Sequence, residues 1–191
     1  MNKRQQLIDS AFKLFYQNSV NAVGINLILK SCGIAKKTLY SYFPSKDDLV
    51  LATINDYSAH FLDWFNAHLS SALPGKRAIF ETFNALDRWI NNQEPELPAF
   101  HGCYIVKIAT EFTDPTHFTQ SACQQHFARL SYLIKQQLDL AKVKESKQDQ
   151  LTESLTLLLL GAITQSSLLQ QKNSALTAQQ MAFKLLKKFK E

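Results

Sequence analysis

Residues 33–49 read GIAKKTLYSYFPSKDDL, and the interpretation of this stretch decides the fold. Gly33 can take a positive φ without a Cβ clash, so Cys32-Gly33-Ile34 reads as a tight turn. After the turn, Leu39 and Phe43 stand four apart and share one face of a short helix over about 36–43. Lys36, Lys37 and Thr38 occupy the tip of that helix, and Tyr40 and Tyr42 point away from the apolar face. Pro44 ends it, and Ser45 restarts the chain as an N-cap with Asp47 and Asp48 in the following first turn. Upstream of the turn, Leu27, Ile28 and Leu29 supply apolar surface to a helix over 25–31. Ile8, Ala11, Phe12 and Phe15, at i, i+3, i+4 and i+7, predict an amphipathic helix over 3–17.

Helix, short helix, tight turn, short helix is the helix-turn-helix plan, whose second paired helix enters the DNA major groove. Long cations and a hydroxyl at the tip of that helix can reach base edges, and lysine can bond guanine O6 or N7. A phenol is a good phosphate donor, which fits Tyr40 and Tyr42. Lys46 opposes the dipole of the helix it opens, so packing does not ask for it; a phosphate at that helix start would. The charge agrees with this placement. Residues 1–50 hold seven Lys/Arg against three Asp/Glu, and the remainder fourteen against thirteen, so the net +5 sits mostly in the first quarter.

Beyond the head the sequence predicts further helices over about 46–71, 77–91, 100–112, 114–141, 147–171 and 177–190. Pro74-Gly75 and the loop at Glu94–Pro98 separate some of them, and Asp114-Pro115 reads as a start signal. The expected fold is all-α, about nine helices, with a three-helix head at 1–50 and a larger helical body at 51–191. Five Gly and five Pro are too few for a many-stranded sheet protein, and 46% hydrophobic residues argue against disorder. The longest apolar stretch, 155–163, falls well short of the ~20 residues of a membrane span. With no apolar leader and three Cys in neither a pairable set nor a zinc spacing, the expectation is a reducing cytoplasm and no membrane. No nucleophile–base pair or metal set is legible, so neither an enzyme, a metal nor a cofactor is expected.

Residues 4–54, above all the T-L-Y-x-Y-F-x-S-K core within 38–46, resemble the DNA-binding head of TetR-type repressors. The resemblance implies that Lys36, Lys37 and Thr38 meet bases of double-stranded operator DNA, and that Tyr40, Tyr42 and Lys46 hold phosphates. Two departures stand out. Ala35 replaces the usual capping Ser, a loss of about 1 kcal/mol, and Lys37 replaces a frequent Gly, adding a charge that alters the sequence read.

The resemblance also implies a homodimer formed by the helices near 147–171 and 177–190, as two half-sites about 34–36 Å apart require. Leu151, Leu155, Leu158, Leu159, Ala162 and Leu169 on the first, and Ala178, Met181, Ala182, Leu185 and Phe189 on the second, supply apolar surface. The aromatic-rich middle, including Trp64, Phe83, Phe112 and Phe127, serves core or small-molecule effector pocket alike. The run from Gly102 to Glu111, of pattern G-C-x-x-V-K-x-x-x-E, resembles a TetR-type subgroup that includes electrophile-responsive repressors. There the matching Cys is the reactive sensor. A Cys103 in the first turn of a helix, with Lys107 one turn on, would favour a thiolate. The function expected is a sequence-specific transcription regulator, a repressor by analogy, released by a small molecule or thiol-reactive compound. An effector would act by tilting the fourth helix. The rival is an architectural DNA-binding protein without sequence preference.

Overall fold

The computed structural model of the chain describes residues 2–188. Among them it contains nine helices and no strand. The head comprises α1 (Lys3–Gln17), α2 (Ile25–Cys32) and α3 (Lys36–Tyr42). They are followed by α4 (Lys46–Ser71), α5 (Lys76–Ile90), α6 (Tyr104–Glu111), α7 (Phe118–Leu140), α8 (Glu145–Leu169) and α9 (Ser174–Lys188). The all-helical reading of the sequence therefore stands.

The first signals act as their chemistry dictates. Asn2 caps α1, its Oδ1 accepting from the Arg4 N–H at 3.0 Å. Gly33 adopts φ 68°, ψ 18°, and its N–H closes α2 onto the Leu29 carbonyl at 2.9 Å. Ser45 and Asp48 form a reciprocal capping box: Ser45 Oγ accepts from the Asp48 N–H at 3.1 Å, and the Asp48 carboxylate from the Ser45 N–H at 2.9 Å. Leu7, Ile8, Ala11, Phe15, Ile28, Leu39, Phe43 and Leu49 are all buried, and together they supply the apolar interior of the head.

Two later signals work differently from the sequence expectation. α6 begins at Tyr104 rather than near Phe100, because the Phe100 N–H is held by Asn92 Oδ1 at 2.7 Å and Gly102 takes φ 91°. Asp114 does not cap α7. Its carboxylate accepts from the backbone and hydroxyl of Thr116 at 2.9 and 2.7 Å, closing a local turn, and the helix starts three residues beyond Pro115.

The helices gather into two compact units. The first holds residues up to Ala59 together with Tyr104–His126; the second holds His60–Cys103 and the chain from Phe127 onward. Packing thus groups α6 and the start of α7 with the head, whereas 1–50 and 51–191 divide the chain by expected role. In the first unit Phe12, Tyr16 and Tyr57 surround Tyr104, with ring centroids 4.9, 5.8 and 5.3 Å from it. The Tyr104 hydroxyl shares a 2.7 Å hydrogen bond with Thr53 Oγ1, and burial drives its pKa well above the usual tyrosine range. Ser58 Oγ and His126 Nδ1, both buried, lie 2.9 Å apart.

In the second unit Trp64, Phe61 and Trp89 pack together with centroids 5.3–6.3 Å apart. The carboxylate of Glu94, 8% exposed, is anchored beside them by Arg88 Nε at 2.6 Å and Trp64 Nε1 at 3.3 Å. Leu151, Leu155, Leu159 and Ala162 of α8, with Ala178 and Ala182 of α9, are buried within the chain itself. That corrects the expectation that these residues face a second copy. Of the residues expected on these helices, Leu169 and Met181 do remain exposed, together with Leu157, Leu168, Leu176 and Phe183. Phe189 and the end of the last predicted helix at 190 lie outside the described residues.

Candidate nucleic-acid interface

The geometry of α3 follows from the spacing of two apolar residues. Leu39 and Phe43, 0% and 2% exposed, pin one side of the helix into the head. Lys36 and Lys37 are exposed, Thr38 is half-buried, and Tyr40 and Tyr42 stand 43% and 41% exposed. The Lys36 ammonium lies 5.9 Å from the centre of the Tyr40 ring. All five polar positions singled out on this helix therefore leave the apolar core to Leu39 and Phe43. Ala35 occupies the N-cap with extended backbone, φ −68° and ψ 144°, and contributes no side-chain bond, as its lack of an oxygen requires.

Lys46 is placed less simply. It is half-buried, and its ammonium donates to the Val20 carbonyl oxygen at 2.5 Å while lying 5.9 Å from the centre of the Phe15 ring. A lysine ammonium carries three protons, so two remain for another acceptor. The acids that follow are occupied. Asp48 completes the capping box, and Asp47 lies 3.4 Å from His117 Nε2. His117 in turn stacks between Phe112 and Phe118 with centroids 4.8 and 4.5 Å away.

The sequence reading missed the partners of the α1–α2 connection. Both oxygens of the Glu111 carboxylate are used: Oε1 accepts from the Val20 N–H at 3.1 Å and Oε2 from the Asn21 N–H at 2.9 Å. One turn earlier on α6, the Lys107 ammonium donates to the Tyr16 carbonyl at 2.9 Å and lies 5.2 Å from the centre of the Tyr16 ring. Burial pulls the Lys107 pKa down, against the opposing charge of Glu111. The signal was present in the K-x-x-x-E spacing, which puts both groups on one helix face.

This changes the reading of Cys103. It sits just before α6 rather than in its first turn, is half-buried, and forms no disulfide. The Lys107 amine expected to favour its thiolate donates to the Tyr16 carbonyl.

The expected effector residues divide between the units. Phe112 and Lys107 belong to the first; Trp64, Phe83, Cys103 and Phe127 belong to the second. Trp64 and Phe83 are buried core, 4% and 0% exposed, and Phe127 is half-buried. Two open grooves in the second unit, of about 460 and 410 Å³, are lined by none of these six residues. The larger runs between α7 and α8 beside Tyr132, Thr152 and Leu157, and the smaller between α5 and α9 beside Phe80 and Phe183. Among the described residues no group of three or more His, Cys, Asp or Glu could hold a metal ion, and no helix is long and apolar enough to cross a membrane.

Comparison with known proteins converges on the same segment. The profile of the bacterial regulatory proteins of the tetR family matches residues 7–53. An uncharacterized HTH-type transcriptional regulator of Bacillus subtilis, YuxN, is 42% identical over 55 residues, covering 29% of this chain and 19% of that protein. The matched segment is thus about a fifth of that relative's length. The fatty acid metabolism regulator protein of B. subtilis is 28% identical over 77 residues, 40% of each chain. Solved structures extend the likeness to the whole chain. A TetR-family transcriptional regulator from Streptomyces coelicolor superposes with a TM-score of 0.87 at 23% identity, covering 98% of this chain and 90% of its own. Reduced NemR of Escherichia coli superposes with a TM-score of 0.78 at 22% identity, covering 95% of each. Residues 7–53 thus match the TetR-family N-terminal domain, and the helical fold is similar to that of solved TetR-family regulators.

Proposed function

We propose that the chain is a sequence-specific, DNA-binding transcription regulator of the repressor type. In this reading Lys36, Lys37 and Thr38 meet base edges in the major groove of operator DNA, and Tyr40, Tyr42 and Lys46 contact phosphates. The observation that carries it is the two-sided α3, with Leu39 and Phe43 buried and a cationic, phenolic face exposed, inside the segment matched by the tetR-family profile. The head acts in the cytoplasm as one of a pair. The exposed apolar side chains of α8 and α9, unusual for a solvated surface, support a homodimer through these helices. The body at 51–191 carries the dimer contacts and the effector response.

Release from the operator is assigned to a small molecule or a thiol-reactive compound. The half-buried Cys103 and the whole-chain likeness to reduced NemR support the second. Replacing Cys103 by Ser tests that assignment: electrophile-induced release from DNA that persists unchanged in the variant removes Cys103 from the response.

The decisive experiment is selection of bound sequences from random duplex DNA with the full chain. A recovered inverted repeat, whose affinity falls when Lys36 and Lys37 are replaced by Ala, supports the reading. Binding that depends on salt yet ignores sequence replaces it with an architectural DNA-binding role.

A further inference from the structure

We propose that Glu111 is a positioning residue of the DNA-binding head, holding the α1–α2 connection so that Lys46 is preset for a phosphate. The inference rests on the reading of Lys46 as a phosphate contact and adds a residue that touches no DNA. It starts from a convergence on Val20. The N–H of Val20 is held by Glu111 at 3.1 Å, and its carbonyl by Lys46 at 2.5 Å. The Val20 side chain is 1% exposed, so the residue is fixed on three sides.

The grip is charge-matched along α6. The end of α1 presents carbonyls and the negative end of the helix dipole, and it meets the cation of Lys107 at Tyr16. The turn that follows presents two N–H groups and meets the anion of Glu111 at Val20 and Asn21. Lys107 and Glu111 stand one turn apart, so a single face of α6 holds both the end of α1 and the turn that follows it.

A free lysine side chain samples many rotamers, and ordering it on a phosphate costs entropy. Lys46 has already been ordered by its bond to Val20, and the position of Val20 is set by Glu111. The carboxylate therefore acts on DNA affinity with a sign opposite to its charge. By Coulomb repulsion alone, removing a negative charge from a DNA-binding head strengthens binding. By positioning, it weakens it.

The test uses the full chain and the operator recovered by selection, with affinity measured across a salt series for Glu111→Gln, Glu111→Asp, Lys46→Met and the Glu111→Gln/Lys46→Met pair. Lys46→Met is expected to weaken binding and flatten the salt dependence by about one unit of slope. Glu111→Gln is expected to weaken binding about fivefold and flatten the slope likewise, with the double variant no weaker than Lys46→Met alone, the signature of coupled residues. Glu111→Asp keeps the charge but is too short to reach both N–H groups, and is expected to weaken binding too. It keeps the test intact if the Gln variant fails to fold. Unchanged or tighter binding by the Glu111 variants overturns the proposal, as do losses that add to that of Lys46→Met. A Lys46→Met variant that binds like the parent overturns the phosphate role of Lys46 and this proposal together. Additive losses overturn this proposal alone.

Discussion

The ammonium of Lys46 and the carbonyl oxygen of Val20 lie 2.5 Å apart, joining the first turn of α4 to the connection between α1 and α2. The Val20 carbonyl also accepts from the Val23 N–H at 3.2 Å, so removing the lysine does not orphan it. Lys46→Met is expected to cost about 1 kcal/mol of stability, a net hydrogen bond's contribution, with the fold retained. Urea unfolding of parent and variant measures it.

The two faces of α3 separate stability from binding. Leu39→Ala removes a fully buried side chain and is expected to cost about 2–5 kcal/mol. Tyr42→Phe deletes only a hydroxyl from an exposed ring and is expected to shift stability by less than about 0.5 kcal/mol while weakening operator binding. Denaturation curves beside binding isotherms distinguish the pair.

Ala35 offers a gain. Its backbone already has N-cap geometry, and it supplies no side-chain acceptor. Ala35→Ser is expected to stabilise the head by about 1 kcal/mol, seen as a higher midpoint in thermal unfolding.

Glu94 makes stability depend on acid. Burial alone pushes its carboxyl up, but hydrogen bonds from Arg88 and Trp64, with the charges of Arg88 and His68, outweigh burial and hold it below its ordinary 4.5. A carboxylate whose folded pKa is depressed stabilises the fold above its unfolded value, and that contribution fades as pH falls through the folded value. Stability is therefore expected to drop as pH falls below about 4.5. Glu94→Gln should be less stable at neutral pH and show a shallower acid loss, which melting across pH 3–7 would reveal.

Leu157 and Phe183, 63% and 54% exposed on α8 and α9, are the places to test the proposed dimer without opening the core. A Leu157→Glu/Phe183→Glu variant is expected to run as a monomer in analytical ultracentrifugation, to keep its helical circular dichroism, and to bind operator DNA more weakly than the parent.

The head was legible because its signals are local and independent. A glycine with positive φ, a capping serine and a Leu39–Phe43 pair each act within a turn of themselves, and each acts in the structure as its chemistry dictates. The body was less so. Asp114-Pro115 carried a valid start signal, but the Asp114 side chain closed a turn on Thr116 instead, and only the folded loop decides between them. The apolar pattern of α8 could not say which leucines face the same chain and which face out, because the run from Leu157 to Leu160 is apolar nearly all round. Lys107 and Glu111 were visible as a spaced pair, yet their partners are backbone groups some 90 positions away in the chain. No local pattern encodes that.

The grouping of Tyr104–His126 with the head bears on how such proteins can be recombined. A fragment cut at Ala59 would lose Tyr104, leaving Phe12, Tyr16 and Tyr57 to meet water, and would strip Val20 and Asn21 of their carboxylate. Grafting this reading module onto a foreign sensor would therefore mean transplanting two separate stretches of chain. Swapping the first alone would deliver a module with an unlined seam.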